Sequence, residues 1–255
     1  MDGLKMTTLL KKYWMTACLF LGLASLYVYA TENNLANPFL FPKVGAIAKA
    51  FLKNRDVMFL NLVSSLEMMI PSILISLVIA LAVGMVLGRN VWLRDVLHPL
   101  LYTFSVVPAI LLSPFVLLLA PNFWVASVFL IVYSTVWSTL FATITGVMTI
   151  DKRYLDKAAT LELTGFRRIT KVILPAASPS ILSGFVNSLR NTFVMLVYAE
   201  MYGSRYGMGF FVKKYSEFGL YDCAWSGFLF MVVVLVVVMQ VFEKIKKHLL
   251  RWTLH

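Results

Sequence analysis

The sequence predicts an all-α membrane protein with six transmembrane helices. Of its 255 residues, 60% are hydrophobic and only 14% are charged, and the mean hydropathy is +0.82. Soluble domains carry about 45–50% apolar and about 25% charged residues. The apolar excess is concentrated in several long runs, which is typical of membrane-spanning segments rather than of a soluble core.

Six of these runs are long enough to cross a bilayer. A helix needs about 20 mostly apolar residues to do so, because the hydrocarbon core is about 30 Å thick and each helical residue adds about 1.5 Å. We expect all six to form one membrane domain over residues 1–255. The predicted spans are Tyr13–Ala30, Met68–Leu87, Leu100–Ala120, Trp124–Thr145, Ser180–Tyr202 and Trp225–Phe242.

The first run has a second interpretation as a secretory signal peptide. Lys11 and Lys12 precede it, and Val28-Tyr29-Ala30 resembles a cleavage site. Cleavage would leave five spans and place one terminus outside the cell. An uncleaved first helix would leave both termini on the same side of the membrane.

The distribution of basic residues predicts the orientation. If the N-terminus is cytoplasmic, the inner loops and termini hold about twice as many Lys and Arg as the outer loops, as cytoplasmic segments of membrane proteins do. Both termini are therefore predicted to be cytoplasmic. The same rule accounts for the net charge of +11, so the basic balance does not indicate nucleic-acid binding.

Local sequence features predict how the spans pack. Segment Val44–Leu62 mixes apolar and charged residues at helical spacing, which predicts a short amphipathic helix at the outer interface. The alternative is a soluble helix packed on the spans. Ala80, Gly84 and Gly88 stand at four-residue spacing and predict close helix packing. Prolines within the third span predict a bent helix.

The longest predicted cytoplasmic loop, Gly146–Pro179, carries the most informative pattern. Good helix formers over Tyr154–Leu163 predict one helix, which Gly165 can end. A second short helix is expected over Phe166–Leu174, closed by Pro175.

This loop resembles the EAA loop of binding-protein-dependent ABC importer permeases. The pattern of that family is Glu-Ala-Ala, then a Gly, then an apolar residue followed by Leu-Pro. The matching residues here are Asp156, Ala158, Ala159, Gly165 and Ile173-Leu174-Pro175.

The chain departs from the EAA pattern at two points. Lys157 stands between the acidic residue and the two alanines. Gly165 also lies closer to Leu174 than in the family. When the two patterns are aligned on the Leu-Pro pair, Glu162 stands where the family has its Gly.

The order of further short matches is similar to that in the sulfonate, taurine and nitrate group of these permeases. The group has a Pro-x-x-Val-like element before the second span, a Ser-Leu at its start, and two Pro-containing pairs in the third span. It also has Ala-Glu-Met and then Gly-x-Gly after the fifth span. The matching residues are Pro42-Lys43-Val44, Ser65-Leu66, Val107-Pro108, Ser113-Pro114, Ala199-Glu200-Met201 and Gly207-Met208-Gly209.

The resemblance implies a type I ABC importer permease-like fold in a bacterial inner membrane, with a coupling helix between spans four and five. It implies two permease copies, most simply a homodimer, beneath an extracytoplasmic substrate-binding protein. A cytoplasmic ATPase dimer would hold the ATP and Mg²⁺, so no cofactor is expected in this chain. The expected substrate is a small anionic or polar organic solute, such as a sulfonate, taurine, nitrate or a thiamine-precursor-like compound.

The resemblance also implies two sets of site residues. One set would contact the ATPase, and the other would form an outer gate or touch the binding protein. The ATPase-coupling set is Asp156, Lys157, Ala158, Ala159, Glu162, Gly165, Phe166, Leu174 and Pro175, and the outer set is Glu200, Gly207 and Gly209.

A polar stripe in the fifth span predicts a translocation path. Asn187, Arg190 and Asn191 share one helical face, because residues three and four apart align. A charge near mid-span is unfavourable by about 2.5–3.5 kcal/mol and usually faces a cavity or a partner. One hypothesis is that Arg190 gives the path a positive potential that favours an anion. The alternative is a structural role, in which Arg190 binds span carbonyls, pairs with a carboxylate or snorkels toward the cytoplasm.

Other function classes have less support in the sequence. No P-loop and no cluster of catalytic or metal-ligating residues occurs, so the chain is not expected to be an enzyme or to bind a metal. An ion-coupled secondary transporter is the alternative. Such carriers usually hold acidic residues within their spans, whereas Glu67 and Glu200 lie near predicted span ends.

Overall fold

The computed structural model describes residues 2–251, with side chains from Trp14 onward. The regular structure within residues 2–251 is helical. The helices are α1 Asp2–Glu32, α2 Val44–Arg89, α3 Val91–Val106, α4 Ala109–Leu119, α5 Phe123–Met148, α6 Lys152–Thr160, α7 Gly165–Arg168, a π-helical turn Ile169–Ile173, α8 Leu174–Gly203, α9 Met208–Glu217 and α10 Tyr221–Leu249.

The predicted all-α membrane fold is confirmed. Within the described residues, five helices are long and apolar enough to cross a membrane, and the bent pair α3 and α4 makes a sixth if it counts as one span. The third span begins at Val91, earlier than predicted, and its two parts meet at 88°. The break falls at Val107 and Pro108, because a residue before proline is driven out of helical geometry and proline has no N–H to donate.

The predicted amphipathic helix is not a separate element. Residues 44–62 form the first half of α2, which continues without interruption to Arg89. At about 1.5 Å per residue this helix is roughly twice as long as the hydrocarbon core is thick. Its first half packs on the spans, since Phe51 and Phe59 lie against Phe230 of α10 with ring centroids 5.8 and 5.4 Å apart.

Close packing of α2 on α5 depends on the predicted small residues. Ala80 is fully buried. A Cβ atom added at Gly84 would lie 2.6 Å from the Cβ of Thr143, and one added at Gly88 would lie 2.6 Å from the Cβ of Val147. The prediction that these residues serve packing is therefore confirmed.

Helices α5 and α8 form the centre of the bundle along a seam of hydroxyl groups. The hydroxyls of Thr135 and Thr192 are 2.9 Å apart, and those of Thr139 and Ser188 are 2.8 Å apart. All four residues are buried. Each of the four hydroxyls has a hydrogen-bond partner on the other helix. These buried polar groups therefore hold the two spans together without contact with lipid.

Candidate functional site

Helix α6 follows α5 at the end of that span which the distribution of basic residues predicts to be cytoplasmic. Asp151 caps its start, where Oδ1 accepts a hydrogen bond from the backbone N–H of Arg153 at 2.9 Å. The Arg153 guanidinium also donates to Oδ2, and these hydrogen bonds hold the pKa of Asp151 below its usual value. The helix begins at Lys152, close to the predicted start.

The end of α6 is a Schellman turn centred on Glu162. The N–H of Glu162 donates to the carbonyl of Ala159, and the N–H of Leu163 donates to the carbonyl of Ala158, both at 2.9 Å. Glu162 has a φ of 50°, in the left-handed region where glycine is favoured. Glu162 therefore occupies the position at which the EAA pattern has its Gly.

The role predicted for Gly165 needs correction. It does not end α6, which stops at Thr160. Gly165 instead begins the next helix with a φ of +54° and no atom within 4 Å of an added Cβ. Pro175 does not close that helix either, because Gly165–Gly203 runs as one helical segment of 39 residues.

We expect Glu162→Gly to stabilise the turn that ends α6. A non-glycine residue in left-handed geometry costs about 1–2 kcal/mol. Glycine removes this strain but also makes the unfolded turn more flexible, which offsets part of the gain in stability. Amide hydrogen exchange at Leu161 to Leu163 should slow by about twofold to fivefold. Asp156→Gly, at an ordinary helical position, should speed exchange in α6, and equal slowing by both variants would contradict this explanation.

Two faces of α6 have different surroundings. Ala158 is 1% exposed, and Leu155 packs on the buried cluster formed by Val147, Ile173 and their neighbours at the inner ends of α5 and α8. Ala159, the next residue, is exposed. Ala158 therefore packs within its own chain, and only Ala159 of the pair is free to meet another protein.

Three large apolar side chains around α6 face solvent. Tyr154 is 51% exposed, Leu161 is 61% exposed and Phe166 is 77% exposed. Tyr154 and Leu161 border a groove of about 460 Å³ between α6 and the helical segment that leads to Ala176. Apolar side chains clustered in this way outside a membrane mark a surface that another protein covers. Lys157 and Lys171 line the same groove and supply a basic rim.

The structure brings together the predicted polar stripe of α8. Asn187, Arg190 and Asn191 are all exposed in the protomer, and the neighbouring Val194 is 64% exposed. Their side chains make no hydrogen bond or ion pair with the residues that the structure describes. The structural alternative for Arg190, a bond to a span carbonyl or a carboxylate, therefore has no support within the described protomer.

The outer residues have a different place from the one predicted. Glu200 is 1% exposed, and Gly207 and Gly209 are buried. A direct contact of these residues with a binding protein therefore has no support in this conformation, because all three are buried where the end of α8 meets the start of α9. An outer-gate role stays a prediction.

These residues fix the start of α9 instead. Three successive backbone N–H groups there are each bound by a side chain of another helix. Gly207 donates to Asn61 Oδ1 at 2.8 Å, Met208 donates to Ser65 Oγ at 3.0 Å, and Gly209 donates to Glu200 Oε2 at 2.7 Å.

Sequence reasoning missed Asn61 as a partner of this junction, and it missed the polar residues that α10 places opposite Arg190. Asn61 and Ser65 are four residues apart, so the sequence could predict that they share a helical face. It could not predict their hydrogen-bond partners at the start of α9. The α10 residues Gln240, Glu243, Lys244 and Lys247 also follow helical spacing. Among the described residues, no group of three or more His, Cys, Asp or Glu side chains could hold a metal ion.

The chain is similar in sequence to several transport permease proteins. The chain is 28% identical over 174 residues to the aliphatic sulfonates transport permease protein SsuC of Bacillus subtilis. It is 27% identical over 155 residues to the nitrate import permease protein NrtB of Leptolyngbya laminosa, and 28% identical over 156 residues to the bicarbonate transport system permease protein CmpB of Synechococcus elongatus. The matches cover 68%, 61% and 61% of this chain but only 63%, 56% and 56% of those relatives.

The fold has a counterpart of known structure. A chain of the methionine ABC transporter MetNI, in an inward-facing conformation, superposes with a TM-score of 0.63 at 15% identity. The match covers 76% of this chain and 96% of that one. The family described as the binding-protein-dependent transport system inner membrane component matches residues 72–254. This chain therefore belongs to the family of inner-membrane components of binding-protein-dependent transport systems.

Proposed function

We propose that the chain is the permease subunit of an ATP-driven, binding-protein-dependent importer. The observation that carries the proposal is the exposed apolar surface around α6, formed by Tyr154, Leu161 and Phe166 at the inner end of two spans. A solvated linker would not present such a surface. The chain itself is the non-catalytic membrane subunit, and a cytoplasmic ATPase supplies ATP hydrolysis.

Movement of α6 would be transmitted to the spans by direct packing and by a continuous helix. Leu155 and Ala158 seat the helix on the inner ends of α5 and α8. Segment Gly165–Gly203 then continues as one helix into the membrane. Closure of an ATPase pair against α6 would therefore turn α8 and alternate the access of the path.

The proposed substrate is a small anion. The three relatives described above are named for sulfonates, nitrate and bicarbonate, all of which are small anions at neutral pH. Arg190, with no partner among the described residues, supplies a positive charge on the polar face of α8. Asn187 and Asn191 on the same face offer hydrogen-bond donors to oxyanion oxygens.

We further propose that two copies of this chain assemble face to face. The polar face of α8 is exposed in the protomer, and such a face is costly against lipid. A second copy would cover it and double the positive charge of the path. A pair of ATPase subunits below and one binding protein above would complete the complex.

The coupling role is tested by Phe166→Asp and Ala159→Asp. Both positions are exposed, so the variants should insert and fold normally while ATPase docking is lost, with import reduced at least tenfold. Gly165→Val should act in the same direction, because its φ is +54°. Import and ATPase co-purification are the measurements. Phe218→Asp is the matched control, since Phe218 is 71% exposed beyond α9. Full import by Phe166→Asp and Ala159→Asp would refute the coupling surface.

The proposed orientation places both termini in the cytoplasm and Cys223, at the start of α10, near the outer face. Cys223 is half-buried and its sulfur lies 3.5 Å from the amide nitrogen of Asn54, so we expect its thiol to react slowly with a labelling reagent. Cysteines introduced at exposed positions therefore report the topology better. In a cysteine-free background, Phe218→Cys should react with an impermeant thiol reagent in intact spheroplasts, and Leu161→Cys should react only after lysis. The reverse pattern would invert the topology.

A further inference from the structure

A groove between α8 and α10 connects Arg190 to the basic end of α10. Its volume is about 530 Å³. The polar residues that line it are Arg190, Gln240, Glu243, Lys244 and Lys247, and its wall is completed by apolar residues such as Leu235 and Met239. From Leu235 to Lys247 the lining extends about 18 Å along α10, which is more than half the thickness of the hydrocarbon core.

The groove is chemically unlike a lipid-facing surface. None of its five polar side chains makes a hydrogen bond or ion pair with the residues that the structure describes. Polar groups left without partners in hydrocarbon are strongly unfavourable. Glu243, Lys244 and Lys247 lie beyond the predicted end of the sixth span at Phe242 and can reach water there. Arg190 and Gln240 lie within the spans on two neighbouring helices and require water or a polar ligand between them.

The charges in the groove follow a direction. Lys244 and Lys247 lie near the C-terminal end of α10, just beyond Phe242. Phe242 contacts Phe185 of α8 with ring centroids 5.6 Å apart, so Arg190 lies about 7 Å deeper along α8 than that contact. The only acidic residue in this lining is Glu243. Three cations against one carboxylate give the groove a net positive potential along its whole length.

We infer that this groove is a water-filled vestibule through which a small monovalent anion leaves Arg190 for the cytoplasm, by way of Lys244 and Lys247. The inference rests on the proposed function, which supplies the direction in which the anion moves. It adds residues of α10 to the proposed translocation path. Several weak sites suit conduction better than one tight site, because an ion must be able to leave each of them. Glu243 offsets part of the positive charge and thereby weakens retention of the anion.

The test measures the electrostatic potential of the groove without using the substrate or the ATPase. Gln240→Cys is placed in a chain with Cys18→Ser and Cys223→Ser, in inside-out membrane vesicles of the full chain. Reaction rates are measured with two methanethiosulfonates of similar size, one carrying a sulfonate and the other a trimethylammonium group. After division by the same ratio for a free thiol, the rate ratio reports the sign of the local potential.

We expect the sulfonate reagent to react faster, with a normalised ratio well above one. A unit charge about 8 Å away in water changes each rate by about twofold in opposite directions, so removal of one charge should lower the ratio by about fourfold. Lys244→Gln and Lys247→Gln should each do so, as should Arg190→Gln. Lys246→Gln, whose side chain is outside the groove lining, should lower the ratio less than Lys247→Gln does.

Three outcomes would overturn the inference. A ratio at or below one would show that the groove is not positive. An unchanged ratio in the lysine variants, which lie outside the middle of the span and should insert normally, would show that they do not shape it. Slow reaction of both reagents would show that a lipid or another chain fills the groove. An importer role could survive each of these results, and a positive, open groove would stand even if import proved to be driven by ions.

Discussion

Gly184→Leu is expected to abolish the folded form of this chain. A Cβ atom added at Gly184 would lie 2.3 Å from the Cβ of Ala142 and 2.6 Å from the carbonyl oxygen of Ser138 on α5. The second contact is with backbone, which a rotamer change cannot relieve. Extra atoms in a well-packed core cost about 1–3 kcal/mol and more when the backbone must move. Leucine here would force α5 and α8 apart and break the hydroxyl seam beside it.

The measurement is the yield and melting temperature of the purified chain in detergent. Gly184→Leu should give little folded protein, and Gly184→Ala should already lower the melting temperature, because the first added carbon is the one that overlaps. Gly22→Leu is the matched control, since Gly22 has no atom within 4 Å of an added Cβ. Normal folding of Gly184→Leu would contradict the tight α5–α8 seam.

Gly207→Val is expected to detach the start of α9 from its partners. Gly207 has a φ of +111°, and a Cβ atom there would lie 2.4 Å from the carboxyl carbon of Glu200. Backbone strain of about 1–3 kcal/mol adds to the overlap, so we expect a loss of about 2–5 kcal/mol in the stability of this junction. Import should fall sharply because α9 packs on three spans.

Protease sensitivity checks this prediction. Trypsin added from the outer side should cut Gly207→Val at Lys213 or Lys214 much faster than it cuts the unaltered chain. Gly45→Val serves as the control, because Gly45 has open space around it and lies outside α9. Resistance equal to that of the unaltered chain would mean that the side-chain caps do not hold α9 in place.

Composition and periodicity were sufficient to predict the spans and their packing residues. Apolar runs of this length form membrane-spanning helices. Small residues at four-residue spacing commonly allow two helices to pack closely. The polar stripe of α8 was also predictable, since Asn187, Arg190 and Asn191 share a face by helical geometry alone. These features depend only on residues that are close together in the sequence.

Features that depend on distant partners were not predictable. Pro175 was expected to end a helix, but the preceding turn is π-helical, with the N–H of Leu174 bonded to the carbonyl of Ile169. This wider turn lets the chain pass the proline and continue as α8. Glu200 was expected at an outer gate or a binding-protein contact because of the Ala-Glu-Met match, but it is buried and accepts a hydrogen bond from the backbone N–H of Gly209 in α9.

We expect ATP hydrolysis, acting through α6, to drive import by this chain. The most direct measurement is uptake into proteoliposomes that contain the chain with its ATPase subunits, with binding protein outside and ATP inside. The probes are labelled nitrate, bicarbonate and an aliphatic sulfonate. We expect uptake of at least one probe that requires internal ATP, is abolished by vanadate or by Phe166→Asp, and is unaffected by ionophores. Uptake by the chain alone, without ATPase and driven by an imposed proton or sodium gradient, would contradict it.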